Sequence, residues 1–209
     1  MSYCLSWDDT SEQNILYHDT EWGVPTRDDR RQFEHLMMEV MQCGLSWDLM
    51  MRKREIFRAC FEGFDYAKIA QYGEDDVERI MNTEGMIRSR RKILAVINNA
   101  ARFEEIQAEY GSFSEYIWSW TGGKTMLYRG HGDGWIPASN GLSGRISADL
   151  KRRGFQYVGP VTIYSHLQSC GIINDHDLRC PCRQRLLAAN PSVEAEPDGE
   201  KDVRFYGNS

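Results

Sequence analysis

The stretch Gly154-Phe155-Gln156-Tyr157-Val158-Gly159-Pro160-Val161-Thr162 decides how the rest of this chain is read. Gly154 stops one helical pattern, Ser147 to Arg153, and Pro160 suits the first turn of the next, Val161 to Cys170, which Gly171 ends. Gly159 permits close backbone approach where the second helix starts. The free amides of a helix N-terminus attract anions, so a phosphate fits there, with Lys151, Arg152 and Arg153 just upstream. An ordinary corner between two helices, its glycine serving only the turn, accounts for the same residues.

Outward from this corner the apolar pattern stays helical. Phe33, Leu36, Met37, Val40 and Met41 repeat at three and four, with Asp28 as cap and Gly44 as left-handed stop. A second helix is predicted from Ser46 to about Phe61, a third opens at Asp65, and a short one spans Asp75 to Met81. The longest, about Arg88 to Tyr110, carries Ile93, Val96, Ile97, Ala100 and Phe103 on one stripe and ends at Gly111; Ser114 is the expected cap of a helix bearing Tyr116, Trp118 and Trp120. Between Thr121 and Leu142 glycines interrupt every segment, and a loop that long is functional or disordered. No strand alternation and no internal repeat is evident. The predicted fold class is all-α, one domain over residues 1–190 built from many short helices.

A chain of 209 residues can bury one sizeable core. It has no apolar run of spanning length and no charged-then-apolar leader, so no membrane partner is expected and a soluble, cytoplasmic protein is. Its six cysteines in an ordinary composition fit a reducing compartment. The net charge of −6 argues at first against a nucleic-acid partner, because phosphate contacts supply most of that affinity. Half of that charge, however, lies beyond Pro191, where Glu194, Glu196, Asp198, Glu200 and Asp202 outnumber Lys201 and Arg204; residues 191–209 read as a disordered acidic tail. Basic clusters recur at Arg52-Lys53-Arg54, Arg88 to Lys92 and Lys151-Arg152-Arg153, each of which also suits a solvated helix face.

Cys4 and His18 near one end, and His176 and Cys180 near the other, are two thiols and two imidazoles, the ligand set of a closed tetrahedral zinc site. Only His176 and Cys180, with three residues between them, resemble a tight half-site. Buried thiols and ordinary surface histidines explain the four residues as well.

The segment from Lys151 to Thr162 resembles the helix-hairpin-helix element with which many repair enzymes grip a DNA backbone without reading its sequence. The stretch Tyr17-His18-Asp19-Thr20-Glu21-Trp22-Gly23-Val24-Pro25, then Glu39 with Gln42, Gly44, Leu45, Ser46 and Trp47, then Lys53-Arg54-Glu55, resembles the DNA-3-methyladenine glycosylase I family of bacterial alkylation-repair enzymes. Ile87-Arg88, Arg90, Lys92-Ile93, Asn99-Ala100, Leu150 to Gly159, Cys170-Gly171 and Asn174-Asp175-His176 follow in the same order, so the resemblance covers about residues 4 to 182. It implies a two-lobed helical fold of the helix-hairpin-helix glycosylase superfamily, structural zinc at Cys4, His18, His176 and Cys180, and double-stranded DNA containing alkylated bases as the partner. It also implies that Glu39 and Tyr17 hydrogen-bond an extruded base, that Trp47 stacks on it, and that Trp22 and Trp7 wall the pocket, while Gly159, Thr162, Lys151 and Arg152 hold the DNA backbone. Composition alone does not select Glu39, which lies off the centre of its apolar stripe and reads as a solvated carboxylate.

The implied reaction is hydrolysis of the N-glycosidic bond of 3-methyladenine, initiating base excision repair. Bifunctional relatives place a lysine in the second hairpin helix; here Val161 takes that position, which predicts base release without strand cleavage. The competing expectation is a weak or inactive DNA-binding module of the same fold. Asn14, Val40, Asp48 and Met51 depart from the family pattern around the pocket, so the lesion spectrum is left open while the fold is not. A catalytic role for Asp175 or Asp177 does not follow from spacing, and Asp175 reads as structural, orienting a ligand histidine or capping a turn. A monomer is the default oligomeric state.

Overall fold

The computed structural model describes residues 4, 7, 11–132 and 135–199. The described chain is mostly helical: α1 (Glu12–Thr20), α2 (Asp29–Gln42), α3 (Trp47–Cys60), α4 (Tyr66–Ile69), α5 (Glu74–Asn82), α6 (Arg90–Tyr110), α7 (Phe113–Ser119), α8 (Gly141–Arg152), α9 (Pro160–Ser169) and α10 (Pro181–Ala189), with two short strands, β1 (Thr125–Tyr128) and β2 (Ser192–Ala195). None of these helices is long and apolar enough to cross a membrane.

Local chemistry explains most boundaries. Side-chain oxygens of Asp28, Ser46 and Asp65 accept amide hydrogens of the first turns of α2, α3 and α4. Gly44 and Gly111 take left-handed backbone just beyond α2 and α6. The next helix is capped by Ser112 rather than Ser114. Its start is fixed from a distance, because the Asp29 carboxylate at the head of α2 accepts the amides of Phe113 and Ser114 at 2.9 and 2.8 Å.

Helix α2 is the axle of the molecule. Every residue from Gln32 to Met41 is buried, since α3, α6, α7 and α9 pack around it. At one end Phe33 meets Tyr66 and Phe103, and Phe103 stacks on Phe113 with centroids 4.2 Å apart. The expectation of a solvated Glu39 fails for this reason: a helix enclosed on all sides has no wet face.

Three other departures have physical causes. Helix α8 begins at Gly141, well before Ser147, because Asn140 and Ser143 form a reciprocal cap that Gly141 and Gly144 concealed in the pattern. The expected loop from Thr121 to Leu142 contains β1, which pairs in parallel with β2, Thr125 opposite Ser192 and Tyr128 opposite Ala195. Strand β2 lies in the segment read as disordered; Thr125 donates to Pro191 O, and Arg129 lies 2.6 Å from the Glu196 carboxylate. Residues 200–209, the rest of that acidic tail, fall outside the described residues.

Candidate functional site

Two neighbouring constellations form where α1 meets the segment after α9. In the first, Cys4, His18, His176 and Cys180 are all buried, and their ligand atoms lie within 4.8 Å of one another. The sulfurs of Cys4 and Cys180 each lie 3.6 Å from His176 Nδ1, and Cys180 Sγ lies 4.0 Å from His18 Nε2. A metal with bonds of about 2.0 Å to nitrogen and about 2.3 Å to sulfur sets such donors about 3.5 Å apart, so the donor set fits a tetrahedral ion. The outer nitrogens are held too: His176 Nε2 is 3.0 Å from Trp22 O, and His18 Nδ1 is 2.7 Å from the Asp19 carboxylate. These contacts turn the remaining nitrogens inward. Burial pushes the His176 imidazole down to about 4, keeping it in the neutral, ligating form. The Cys4 thiol is pushed up by burial and by Cys180, so an arriving metal displaces a proton.

The second constellation shares α1. Tyr17 precedes His18 and faces Glu39 of α2 and Trp47, the first residue of α3. The Tyr17 ring lies 5.2 Å from Trp47 and 6.0 Å from Trp7, and Trp7 lies 4.8 Å from Trp22. Trp22 in turn packs edge-on against His176 at 4.6 Å, so the aromatic wall and the cysteine–histidine cluster are contiguous. Within this wall several polar atoms are buried without a partner among the described residues: Tyr17 OH, Trp47 Nε1 and Trp7 Nε1. Glu39 is 6 % exposed, no described residue hydrogen-bonds or ion-pairs with its carboxyl group, and the carboxyl oxygens keep a small contact with solvent. Burial pushes that carboxyl up to about 8. Tyr17 is held well above its ordinary value, first by burial and then by the Glu39 charge, and stays a neutral donor. Buried polar groups are normally satisfied, so a cluster of unsatisfied ones is the signature of a place kept for a ligand.

The corner of the opening stretch is well braced. Asn99 of α6 donates to Gln156 O at 3.0 Å and accepts Gln156 N at 2.8 Å, Asn98 donates to Gly154 O, and Ser147 Oγ donates to Val158 O at 2.6 Å. Tyr157 takes left-handed backbone at φ 58°. Gly159 caps α9 without a side chain, and apart from its chain neighbours no atom of the described residues lies within 4 Å of where its Cβ would stand, so the α9 N-terminus is open there. Thr162 is half-buried in that first turn, Lys151 and Arg152 are exposed, and Arg152 pairs with Asp149. Arg153, by contrast, is engaged by Asp149 and Glu109. Asn99 stood out only as part of the family resemblance, and the bracing role of both asparagines carried no signal, because a polar residue on a long helix has none until its partner, 57 positions away for Gln156, is known.

Asp175 has a structural place, though not as the orienter of a ligand histidine. Its carboxylate accepts from Tyr164 OH at 2.6 Å and Gln168 Nε2 at 2.8 Å, both on α9, and lies 2.6 Å from His131 Nδ1. The carboxylate beside a histidine of the cysteine–histidine cluster is Asp19 instead, at His18.

A helical fold that sets an aromatic wall bearing partnerless polar atoms against a buried cysteine–histidine cluster and an open helix corner matches one family model. Residues 7–184 match methyladenine glycosylase, and the chain belongs to that family. Among its relatives is the DNA-3-methyladenine glycosylase 1 of Escherichia coli, 41 % identical over 168 residues that cover 80 % of this chain and 90 % of the relative. The DNA-3-methyladenine glycosylase of Haemophilus influenzae is 37 % identical, with 82 % and 94 % covered. The structure of the Staphylococcus aureus 3-methyladenine DNA glycosylase I, solved for its recognition of 3-methyladenine, superposes with a TM-score of 0.80 at 32 % identity, covering 85 % of this chain and 95 % of that one.

Proposed function

We propose that this protein is a DNA glycosylase that hydrolyses the N-glycosidic bond of 3-methyladenine in DNA, with Tyr17, Glu39 and Trp47 receiving the extruded base. The observation that carries the reading is the Glu39 carboxyl, on a buried residue and without a protein partner among the described residues, close enough to Tyr17 to raise its hydroxyl, while the Tyr17 ring packs against Trp47. A base must leave the stack before its glycosidic bond can be attacked, and indole faces hold a flipped cationic purine by stacking and cation–π attraction. Trp22 and Trp7 complete the wall. Alkylation at N3 already makes adenine a cationic leaving group, so the protein's work is extrusion, recognition and stabilisation of the positively charged sugar while water attacks.

The raised carboxyl of Glu39 suits that task. Near neutral pH it is largely protonated in the free protein, where an ionised form would lack compensation. A cationic base brings that compensation and draws the proton off, so the site discriminates by charge as well as by shape. No lysine stands in α9, which supports base release without strand scission.

The α8–α9 corner acts as a helix-hairpin-helix grip, with the amides around Gly159 and Thr162 on a phosphate and Lys151 and Arg152 alongside. It joins a two-lobed glycosylase fold. Cys4, His18, His176 and Cys180 hold zinc, which when bound closes both chain ends on one ion and leaves no coordination position for water. Cys180→Ser is expected to abolish stoichiometric zinc binding and to lower the unfolding midpoint by about 10 °C or more, while any folded fraction keeps base-releasing activity. Activity lost in step with zinc at constant fold would make the metal catalytic instead. The working state is a cytoplasmic monomer acting on duplex DNA.

The test of the reaction is chromatography of bases freed from methylated duplex DNA. Wild-type protein is expected to release 3-methyladenine, and Glu39→Ala to release at least about 100-fold less. Folded, zinc-loaded protein that binds DNA yet frees no base would make it a binding module, and nicked strands would overturn the monofunctional chemistry.

A further inference from the structure

Three helices carry the proposed base-binding side chains, Tyr17 on α1, Glu39 on α2 and Trp47 on α3, and one guanidinium joins all three. Arg54, two turns along α3 from Trp47, donates through Nη1 and Nη2 to the two oxygens of Glu21, 2.7 Å each, and through Nε to Glu34 Oε1, also 2.7 Å. Glu21 is the C-cap of α1, one turn beyond Tyr17, and Glu34 lies on α2. The Arg54 side chain is 12 % exposed, and its guanidinium carbon lies 5.9 Å from the Tyr17 ring centre. Arg58 donates to the same Glu34 oxygen at 2.9 Å, and Arg31 lies 3.7 Å from Glu21, so both carboxylates are gathered inward around Arg54.

Resting on the base-binding reading above, we propose that Arg54 is a positioning residue for the base pocket, fixing the mutual setting of Tyr17, Glu39 and Trp47 without itself touching the base. The chemistry requires arginine. Five N–H groups in a rigid plane satisfy a bidentate carboxylate and a second carboxylate at a fixed angle, whereas the compact ammonium of lysine cannot hold both in that geometry. An aromatic face and a hydrogen-bonding edge grip a planar base only if their relative placement is kept to a fraction of an ångström. No other ion pair of the described residues joins these three helices at one group.

The test uses the full chain with its metal and reads binding of free 3-methyladenine by quenching of tryptophan fluorescence, beside kcat and KM on methylated duplex DNA. Arg54→Lys, which keeps the charge and loses the fork, is expected to weaken free-base binding by about 10- to 100-fold and to lower kcat similarly, with KM for DNA changed less than about threefold. Glu21→Gln, a milder lesion that keeps the falsifiability should Arg54→Lys not fold, is expected to move the same two readouts in the same direction. Arg153→Lys is the control, because Arg153 forks onto Glu109 and Asp149 away from the pocket; its unfolding midpoint is expected to fall with free-base binding unchanged. Arg54→Lys and Glu21→Gln proteins that lose stability like Arg153→Lys yet bind base as the wild type does would reduce Arg54 to a structural clamp. Wild-type protein that binds no free base would instead defeat the pocket reading itself.

Discussion

Asp175 and Glu39 are both buried carboxylates in the same molecule, and their surroundings could hardly differ more. Asp175 takes two hydrogen bonds from α9 and faces His131, with no oxygen left over. Glu39, 6 % exposed, has no partner among the described residues, and its carboxyl is raised to about 8 by burial. A buried acid that the fold has satisfied holds structure together. One that the fold leaves without a protein partner is costly to ionise, and that cost is sustained where a ligand completes the set. Asp175 stands where an acid would be sought on account of its place after the hairpin, and its full coordination argues that it has no hand free for chemistry.

Substitutions at the two sites should therefore move stability in opposite directions. The larger effect belongs to Asp175→Asn, which turns one acceptor oxygen into an NH2 that faces either the two α9 donors or His131 Nδ1 and removes the charge both sides are built around; a loss of about 2–4 kcal/mol in urea unfolding is expected. Folded Asp175→Asn protein should still release base at a rate within a few-fold of wild type, and loss of turnover at full stability would assign Asp175 to the chemistry. Glu39→Gln should do the reverse, suppressing turnover while stabilising the fold. An unfolded glutamate ionises near 4.5 and the folded Glu39 near 8, so between those values the folded state holds the extra proton. Stability accordingly falls as pH rises through that window and levels off above it, and the Glu39→Gln variant lacks this slope. At about pH 8 the variant is expected to be about 1–3 kcal/mol more stable than wild type, with the difference vanishing below about pH 5. Equal stability at both pH values would mean that Glu39 is solvated or paired. The smallest change comes from Gln168→Leu, which removes one donor from Asp175 and should cost about 1 kcal/mol with no effect on base release.

Much of this contrast was written in the chain, though unevenly. Asp28, Ser46, Asp65 and Gly111 announced their helix ends because capping is a local matter of one side chain and the next turn. Helix α1 has its own cap, Ser11 accepting the Asn14 amide, but no apolar stripe follows it: its buried residues are Asn14, Tyr17 and His18, a polar set chosen for the site. Helix α10 buries only Cys182 and Leu186, and β2 keeps most of its residues exposed, so neither could be found by periodicity. Of the site, the cysteines and histidines stood out as ligand types even though 172 positions separate Cys4 from His176. Glu39 could be picked out only through the family resemblance, since burial on every side of α2 is a property of the packing. Arg54 looked like one member of a solvated basic cluster, because Glu21 and Glu34, which bury it, lie 33 and 20 positions away. Pairings of that kind are decided by how helices cross, and local sequence does not encode them.

The most direct measurement is a carbon NMR titration of the Glu39 carboxyl in side-chain-labelled, zinc-loaded protein, assigned with Glu39→Gln and repeated with saturating 3,9-dimethyladeninium, a base analogue that keeps the positive charge. A midpoint near 8 in the free protein is the expected result, dropping by about one pH unit or more when the base is bound. A midpoint near 4.5 that the base leaves in place would contradict the claim that Glu39 is held unsatisfied for the lesion.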